Sequence, residues 1–324
     1  MSTGLPNLDE IRQAAELVYR TMPPTPQYRW PLLSERAGAE VWVKHENHSP
    51  VGAFKIRGGL VYMDWLKREH PEVDTVVTAT RGNHGQSIAL AAATGGIRSV
   101  VVVPLGNSVE KNRAMRMLGA ELIEEGEDFQ AALEHATRLE RENKWHWVPS
   151  YHPLLLTGVA TAALEFLSSV PELDTVYVAI GMGSGISGMI AVRDALGLKT
   201  RIVGVVSSHA PAFARSVAAG RVIEEAALTR IADGVACRKP TPEAVEIVLR
   251  GADRILEVDD HEVSAAMRVY FADTHNVAEG AGAVGLAGLL QDRPRGGARV
   301  GTVLGGGNVD TDIFARVLQE PGCV

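Results

Sequence analysis

The chain has 324 residues, of which 46% are apolar and 22% charged, and it carries a net charge of −7. That length suits about two domains or one large α/β unit with a full core, which excludes a disordered chain. The acidic balance speaks against a nucleic-acid surface. Two cysteines, Cys237 and Cys323, exclude a disulfide framework and a CxxC metal site, and no apolar run reaches the ~18–20 residues of a membrane span.

The N-terminal segment lacks the basic-then-apolar order of a secretory signal, so the expected location is the cytoplasm. A β-branched run at Val76–Thr80 ends in RGNHG, and a second at Ser99–Pro104 ends in LGN. Such runs, bounded by glycine, read as strands buried on both faces. Glu110–Gly119 has helical spacing with Met115, Met117 and Leu118 near one side, and stops at a glycine. The acidic run Glu121–Asp128 reads as a solvated helix end. A helix over Phe129–Asn143 follows, then Trp145 and Trp147 alternate around His146 as at a strand edge. Next come a helix at Thr157–Leu167, a strand at Thr175–Ile180 leading into GMGSG, and a strand at Arg201–Val206. Helices at Asp259–Asp273 and Ala281–Leu290 and a strand at Val300–Leu304 leading into GGGN complete the pattern. Strand, glycine turn and helix in repetition predict an α/β architecture with parallel sheets.

Four segments carry chemistry. Lys55 lies in KHENHSPVGAFKIRGG, flanked by Ala53, Phe54 and Ile56; a lysine so placed is partly buried, and a desolvated amine has a lowered pKa and forms Schiff bases. The turn Thr80–Ser87, TRGNHGQS, opens a helix whose first amides suit a carboxylate. Gly181–Gly185, GMGSG, lets several amides and the Ser184 hydroxyl approach a phosphate. It matches neither dinucleotide nor nucleotide-triphosphate fingerprints. LGGGNVD, Leu304–Asp310, is a further glycine turn after a strand. A buried lysine, an asparagine turn and a phosphate cradle are the parts that hold pyridoxal phosphate and an amino-acid carboxylate. The remaining histidines are scattered, without an HExxH or triad context.

With these motifs the chain resembles the fold-type II pyridoxal-phosphate enzymes, in the branch of threonine and serine dehydratases and serine racemases. The family's [SA]FKxRG segment matches Ala53–Gly58, and its SxGNH loop matches Thr80–His84 with threonine for the first serine. Its phosphate loop matches Gly181–Gly185, and its EPAGA segment matches Glu279–Ala283 with Gly280 for proline. The resemblance implies that Lys55 is the Schiff-base lysine, that Phe54 packs behind the ring and that Asn83 bonds the ring hydroxyl. It gives the phosphate to Gly181, Met182, Gly183, Ser184 and Gly185, and adds Glu279 and Gly305 to the cofactor site. It gives the substrate to Thr80, Arg81, Gly82, Asn83 and His84. The implied fold is two open, mostly parallel twisted sheets covered by helices, tryptophan synthase β-like, in two domains. Residues 1–73 and 149–324 would form the large cofactor-binding domain, and 74–148 a small domain binding the substrate carboxylate. A homodimer acting on a small amino acid, without nucleic acid or membrane, is implied.

The implied reaction is elimination of water from a β-hydroxy-α-amino acid of the threonine/serine class, giving a 2-oxo acid and ammonia. Lys55 would remove the α-proton, and the hydroxyl would leave near Ser184. The alternatives are a dehydratase for 3-hydroxyaspartate or another β-hydroxy amino acid, an amino-acid racemase, and a non-catalytic ligand-binding protein of the same fold. Three departures bear on this choice. Gly305 stands where the family often has a hydroxyl or thiol facing the pyridine nitrogen. Val206 and Ala212 occupy the racemase branch's metal-ligand positions and carry no ligating side chain, so no metal is expected there. Arg81 replaces the racemase serine; a guanidinium stays protonated and cannot serve as a second base. Arg81 either favours a second negative group on the substrate, grips the α-carboxylate, or is a solvated or bridging arginine. Only 14 residues follow Asp310 (324 − 310), so no appended feedback domain, and a catabolic role, are expected.

Overall fold

Strands rich in valine on both faces need cover on both faces, and that requirement shapes the chain. The structure is a computed structural model describing residues 5–170 and 172–320. The strands are β1 (Gln27–Arg29), β2 (Glu40–His45), β3 (Thr75–Ala79), β4 (Arg98–Val103), β5 (Glu121–Glu124), β6 (His146–Trp147), β7 (Thr175–Ala179), β8 (Arg201–Ser207), β9 (Arg254–Val258) and β10 (Arg299–Leu304). They form a six-stranded sheet, β1-β2-β10-β7-β8-β9, and a four-stranded sheet, β5-β4-β3-β6. Every neighbouring pair is parallel except β1 with β2. The four-stranded sheet draws all its strands from residues 75–147, and the larger sheet draws on the chain to either side.

The expected strands correspond to β3, β4, β7, β8 and β10, each within a residue of its anticipated ends. The expected helices are present as Val109–Met117, Phe129–Asn143, Pro153–Ser169, Asp260–Thr274 and Gly280–Asp292. Two residues of the Trp145–Trp147 stretch, His146 and Trp147, form β6, an edge strand of the smaller sheet. Two local readings need correction. The acidic run is not a helix end: its first half is β5, the other edge strand, and Asp128 caps the following helix by accepting from the Ala131 amide. Charged residues suit an exposed strand edge as well as a solvated helix. Met117 does not join Met115 in the core but is 79% exposed, because two residues along a helix amount to a turn of about 200°. Cys323 lies outside the described residues, and Cys237 is buried as a free thiol.

Helix Lys55–Glu69 lies between helices Asn83–Gly95 and Pro153–Ser169 and packs closely on both. Gly158 permits this approach: a Cβ there would stand 2.3 Å from the Arg57 carbonyl oxygen. Within the first turn of that element, a fully buried Arg57 meets Glu46 and Glu165. Its Nε donates to Glu46 Oε2 at 2.7 Å, and its Nη1 to Glu165 Oε1 at 2.6 Å. Lys44 Nζ donates to Glu165 Oε2 at 2.5 Å, and Thr25 Oγ1 to Glu46 Oε1 at 2.6 Å. Two cations and two anions balance, so no charge is left buried alone. This cluster ties β2, the lysine-bearing helix and helix Pro153–Ser169 together directly behind the site.

Candidate active site

The loops after β3, β7 and β10 leave the carboxyl ends of their strands, where open parallel sheets bind ligands. They meet at a cavity of about 1390 Å³ between the two sheets. All fourteen residues anticipated for the site line it: Phe54, Lys55, Thr80, Arg81, Gly82, Asn83, His84, Gly181, Met182, Gly183, Ser184, Gly185, Glu279 and Gly305. Phe129, Leu133 and Trp147 add an apolar wall on the side of the smaller sheet.

Lys55 is the first residue of its helix, and the backbone before it is zipped onto the turn after β10. Phe54 N donates to Gly305 O at 3.0 Å, Gly307 N to Gly52 O at 2.9 Å, and Ala53 forms a bridge with Gly306. Ser87 Oγ donates to the Lys55 carbonyl at 2.7 Å, tying it to the helix of the asparagine turn. The base of the lysine is therefore fixed by its backbone. Its Nζ donates to Ser184 Oγ at 3.4 Å and lies 5.1 Å from the Phe54 ring centroid. Burial pushes the amine down to about 8. Beside Gly305, the Phe54 ring is what a Cβ would first meet, at 3.5 Å.

Ser184 opens helix Ser184–Ala195, with Gly183 as its cap at φ +97°. At that φ, with Ala244 Cβ 2.9 Å from where a side chain would start, only glycine fits. The first amides of such a helix have no partner within it and present a positive dipole end, which suits a phosphate.

Asn83 begins helix Asn83–Gly95. Its Nδ2 donates to Glu279 Oε1, while its Oδ1 accepts from Asn308 Nδ2 at 2.9 Å. Glu279 Oε2 accepts from Lys111 Nζ at 3.1 Å, and Lys111 also donates to Asp233 Oδ2 at 2.9 Å. Burial would lower the Lys111 ammonium, but the carboxylates of Glu279 and Asp233 prevail and raise it. Burial pushes the Glu279 carboxyl up, against the pull of Lys111. His84 donates from its ring to the Val148 carbonyl and is pushed down to about 3, chiefly by burial and then by Lys55. It is neutral at physiological pH, and its Nε2 is buried without a partner among the described residues. Arg81 is exposed on the cavity wall.

A family profile described as "Pyridoxal-phosphate dependent enzyme" matches residues 18–306. The chain belongs to the pyridoxal-phosphate dependent enzymes. Within this family it is 32% identical to the L-threonine ammonia-lyase of Thermotoga maritima, over 97% of this chain and 78% of that one. It is 31% identical to the biosynthetic L-threonine dehydratase of Haemophilus influenzae over 97% of this chain, but that span is 62% of the relative's length. Among solved structures, maize serine racemase superposes with a TM-score of 0.89 at 28% identity, over 96% of each chain.

The residues fit the pyridoxal-phosphate cofactor. A lysine with a depressed pKa, a glycine-capped helix start and an orphaned buried ring nitrogen on His84 all line one cavity. Val206 and Ala212 are both buried, and neither side chain carries a ligating atom. Two residues of this pyridoxal-phosphate enzyme's site have no signal in the sequence: Lys111 and Asp233 sit in unremarkable surroundings and meet across 122 positions. Asn308 lies in the LGGGNVD turn, but nothing local points to its partner Asn83, 225 positions away. The arginine of AFKIRG was visible as a motif position, but its partners Glu46 and Glu165 were not.

Proposed function

We propose that this pyridoxal-phosphate dependent enzyme is an ammonia-lyase that removes water from β-hydroxy-α-amino acids of the threonine/serine class. The observation that carries the reading is the Lys55 amine, poised near neutrality and 3.4 Å from the Ser184 hydroxyl in the cavity. The relatives named for L-threonine deamination support it. Bound pyridoxal phosphate supplies the electron sink that makes an α-proton acidic. Lys55 would hold it through its amine, Gly181–Gly185 would hold its phosphate, and Phe54, Asn83, Glu279 and Gly305 would complete its site. Amides of the Thr80–His84 turn hold the α-carboxylate at a helix N-terminus. Lys55 takes the α-proton, and Ser184 relays a proton to the departing β-hydroxyl, which leaves as water. The released enamine tautomerises and hydrolyses to a 2-oxo acid and ammonium.

Racemisation is the weaker reading, because the Arg81 guanidinium has no acceptor lone pair to offer as a second base. We further assign residues 74–148 to a small substrate-binding domain and 1–73 with 149–324 to a large cofactor-binding one. The working form is proposed to be a cytoplasmic homodimer; no helix among the described residues is long and apolar enough to cross a membrane.

The test is a 2-oxo-acid release screen with serine, threonine, 3-hydroxyaspartate and a bulkier β-hydroxy amino acid, run on the wild type and on Lys55→Ala. The wild type should release 2-oxo acid, and the variant should lose both turnover and the visible Schiff-base absorbance. Retention of both by Lys55→Ala sinks the proposal.

A further inference from the structure

Five cations stand on the cavity wall: Lys55, Arg81, Lys111, Arg238 and Lys239. Lys111 is bound to Glu279 and Asp233. Arg238 and Lys239 share Glu224, at 3.1 and 3.6 Å. Lys55 donates to Ser184 and is assigned to the cofactor. Arg81 makes no hydrogen bond and no ion pair among the described residues. Its backbone is nonetheless fixed, because the Gly82 amide donates to Thr80 Oγ1 at 3.0 Å and the helix of Asn83 follows at once. The result is a guanidinium anchored at its base, with no partner at its tip among the described residues, within the turn assigned to the α-carboxylate.

We infer that Arg81 binds a second carboxylate on the substrate, so that the preferred substrate is a β-hydroxy-α-amino dicarboxylic acid. This rests on the ammonia-lyase reading above. Threonine and serine bring one carboxylate, which the helix-start amides already satisfy, and leave the guanidinium facing only water. A guanidinium is weakly hydrated and pairs with a carboxylate through two parallel N–H bonds, a geometry that a neutral side chain cannot match. The reaction is unchanged in kind. For 3-hydroxyaspartate, water leaves in the elimination and is taken up again when the imine hydrolyses. The net change is loss of ammonia, giving a four-carbon 2-oxo dicarboxylic acid.

The experiment compares kcat/KM for 3-hydroxyaspartate, threonine and phenylserine in the wild type, Arg81→Ser and the length-matched Arg81→Gln. In parallel, succinate and butyrate, which cannot react, are titrated calorimetrically into each holoenzyme. The wild type should favour 3-hydroxyaspartate. Either variant should lower the ratio of its kcat/KM to that of threonine by roughly ten- to a hundredfold, mainly through KM. Succinate should lose affinity by a similar factor, and butyrate should not follow it. If the variants slow all three substrates by one factor, Arg81 holds the α-carboxylate or only supports the turn, and the inference fails. A wild-type preference for threonine or phenylserine overturns it as well. If the wild type releases 2-oxo acid from none of the three, the ammonia-lyase reading fails instead, and the succinate titration still decides what Arg81 binds.

Discussion

Lys55 and Lys111 line the same cavity and meet opposite fates. Lys111 has two carboxylates against it and is held charged. Lys55 has one hydrogen-bond partner, a neutral hydroxyl, so burial acts unopposed and brings its amine to about 8. Only a neutral amine attacks an aldehyde, so the reactive fraction grows as pH rises through that value instead of through the ~10.4 of a lysine in water. Capture of pyridoxal phosphate by the apoenzyme, followed by visible absorbance, should accelerate between about pH 7 and about pH 9 and then level off. A rate that keeps climbing beyond about pH 10 would mean that the amine is solvated. Lys55 could be picked out from its neighbours in the sequence because apolar flanks and glycines surround it. Lys111 could not, since what distinguishes it is two acids far away in the chain.

At the scale of elements, the geometry of the site depends on how closely helix Lys55–Glu69 sits against helix Pro153–Ser169. Gly158 faces the Arg57 carbonyl so tightly that any side chain must push the two helices apart. Gly158→Ala should therefore destabilise the protein by about 1–3 kcal/mol, the usual cost of overpacking. It should also displace Lys55, which lies two residues before Arg57. Denaturant unfolding checks the first effect, and a weakened Schiff-base absorbance at fixed cofactor checks the second. An alanine variant with unchanged unfolding midpoint and spectrum would show that the helices can yield at no cost. The helices themselves were largely legible, because period and capping are local properties. The acidic run Glu121–Asp128 was misread for the same reason: strand or helix was decided there by β4, which lies alongside β5.

Across the whole molecule, the smaller sheet's helix Val109–Met117 is fastened to elements of the larger sheet at its first turn. Ser108 Oγ donates to Asp310 Oδ1 at 2.5 Å, the Thr311 amide donates to Glu110 Oε1 at 2.9 Å, and Lys111 reaches Asp233 and Glu279. Through Glu279 the same chain of bonds continues to Asn83 and Asn308. Lys111→Met would leave two carboxylates facing each other without a cation. It should cost about 3 kcal/mol, the low end for removing one partner of a buried pair, because Asp233 is 36% exposed. Adding Glu279→Gln should recover part of that loss, and a double-mutant cycle on unfolding midpoints measures the coupling. A coupling within error of zero would reduce the contact to a surface pair.

Short contiguous stretches specify the parallel α/β character, the lysine, the two glycine turns that open helices and, with them, the cofactor class. The stretches are β-branched runs between glycines, AFKIRG, TRGNHG and GMGSG. A strand, a glycine-capped helix start and a desolvated lysine are specified by neighbours a few positions away. The partners of each charge emerge only when the chain folds. The balance of Arg57 and Lys44 with Glu46 and Glu165 and the triad of Lys111, Asp233 and Glu279 depend on side chains brought together from distant segments. Coulomb interactions and burial act through space, so residues that look alike along the chain acquire different charge states and roles once it folds.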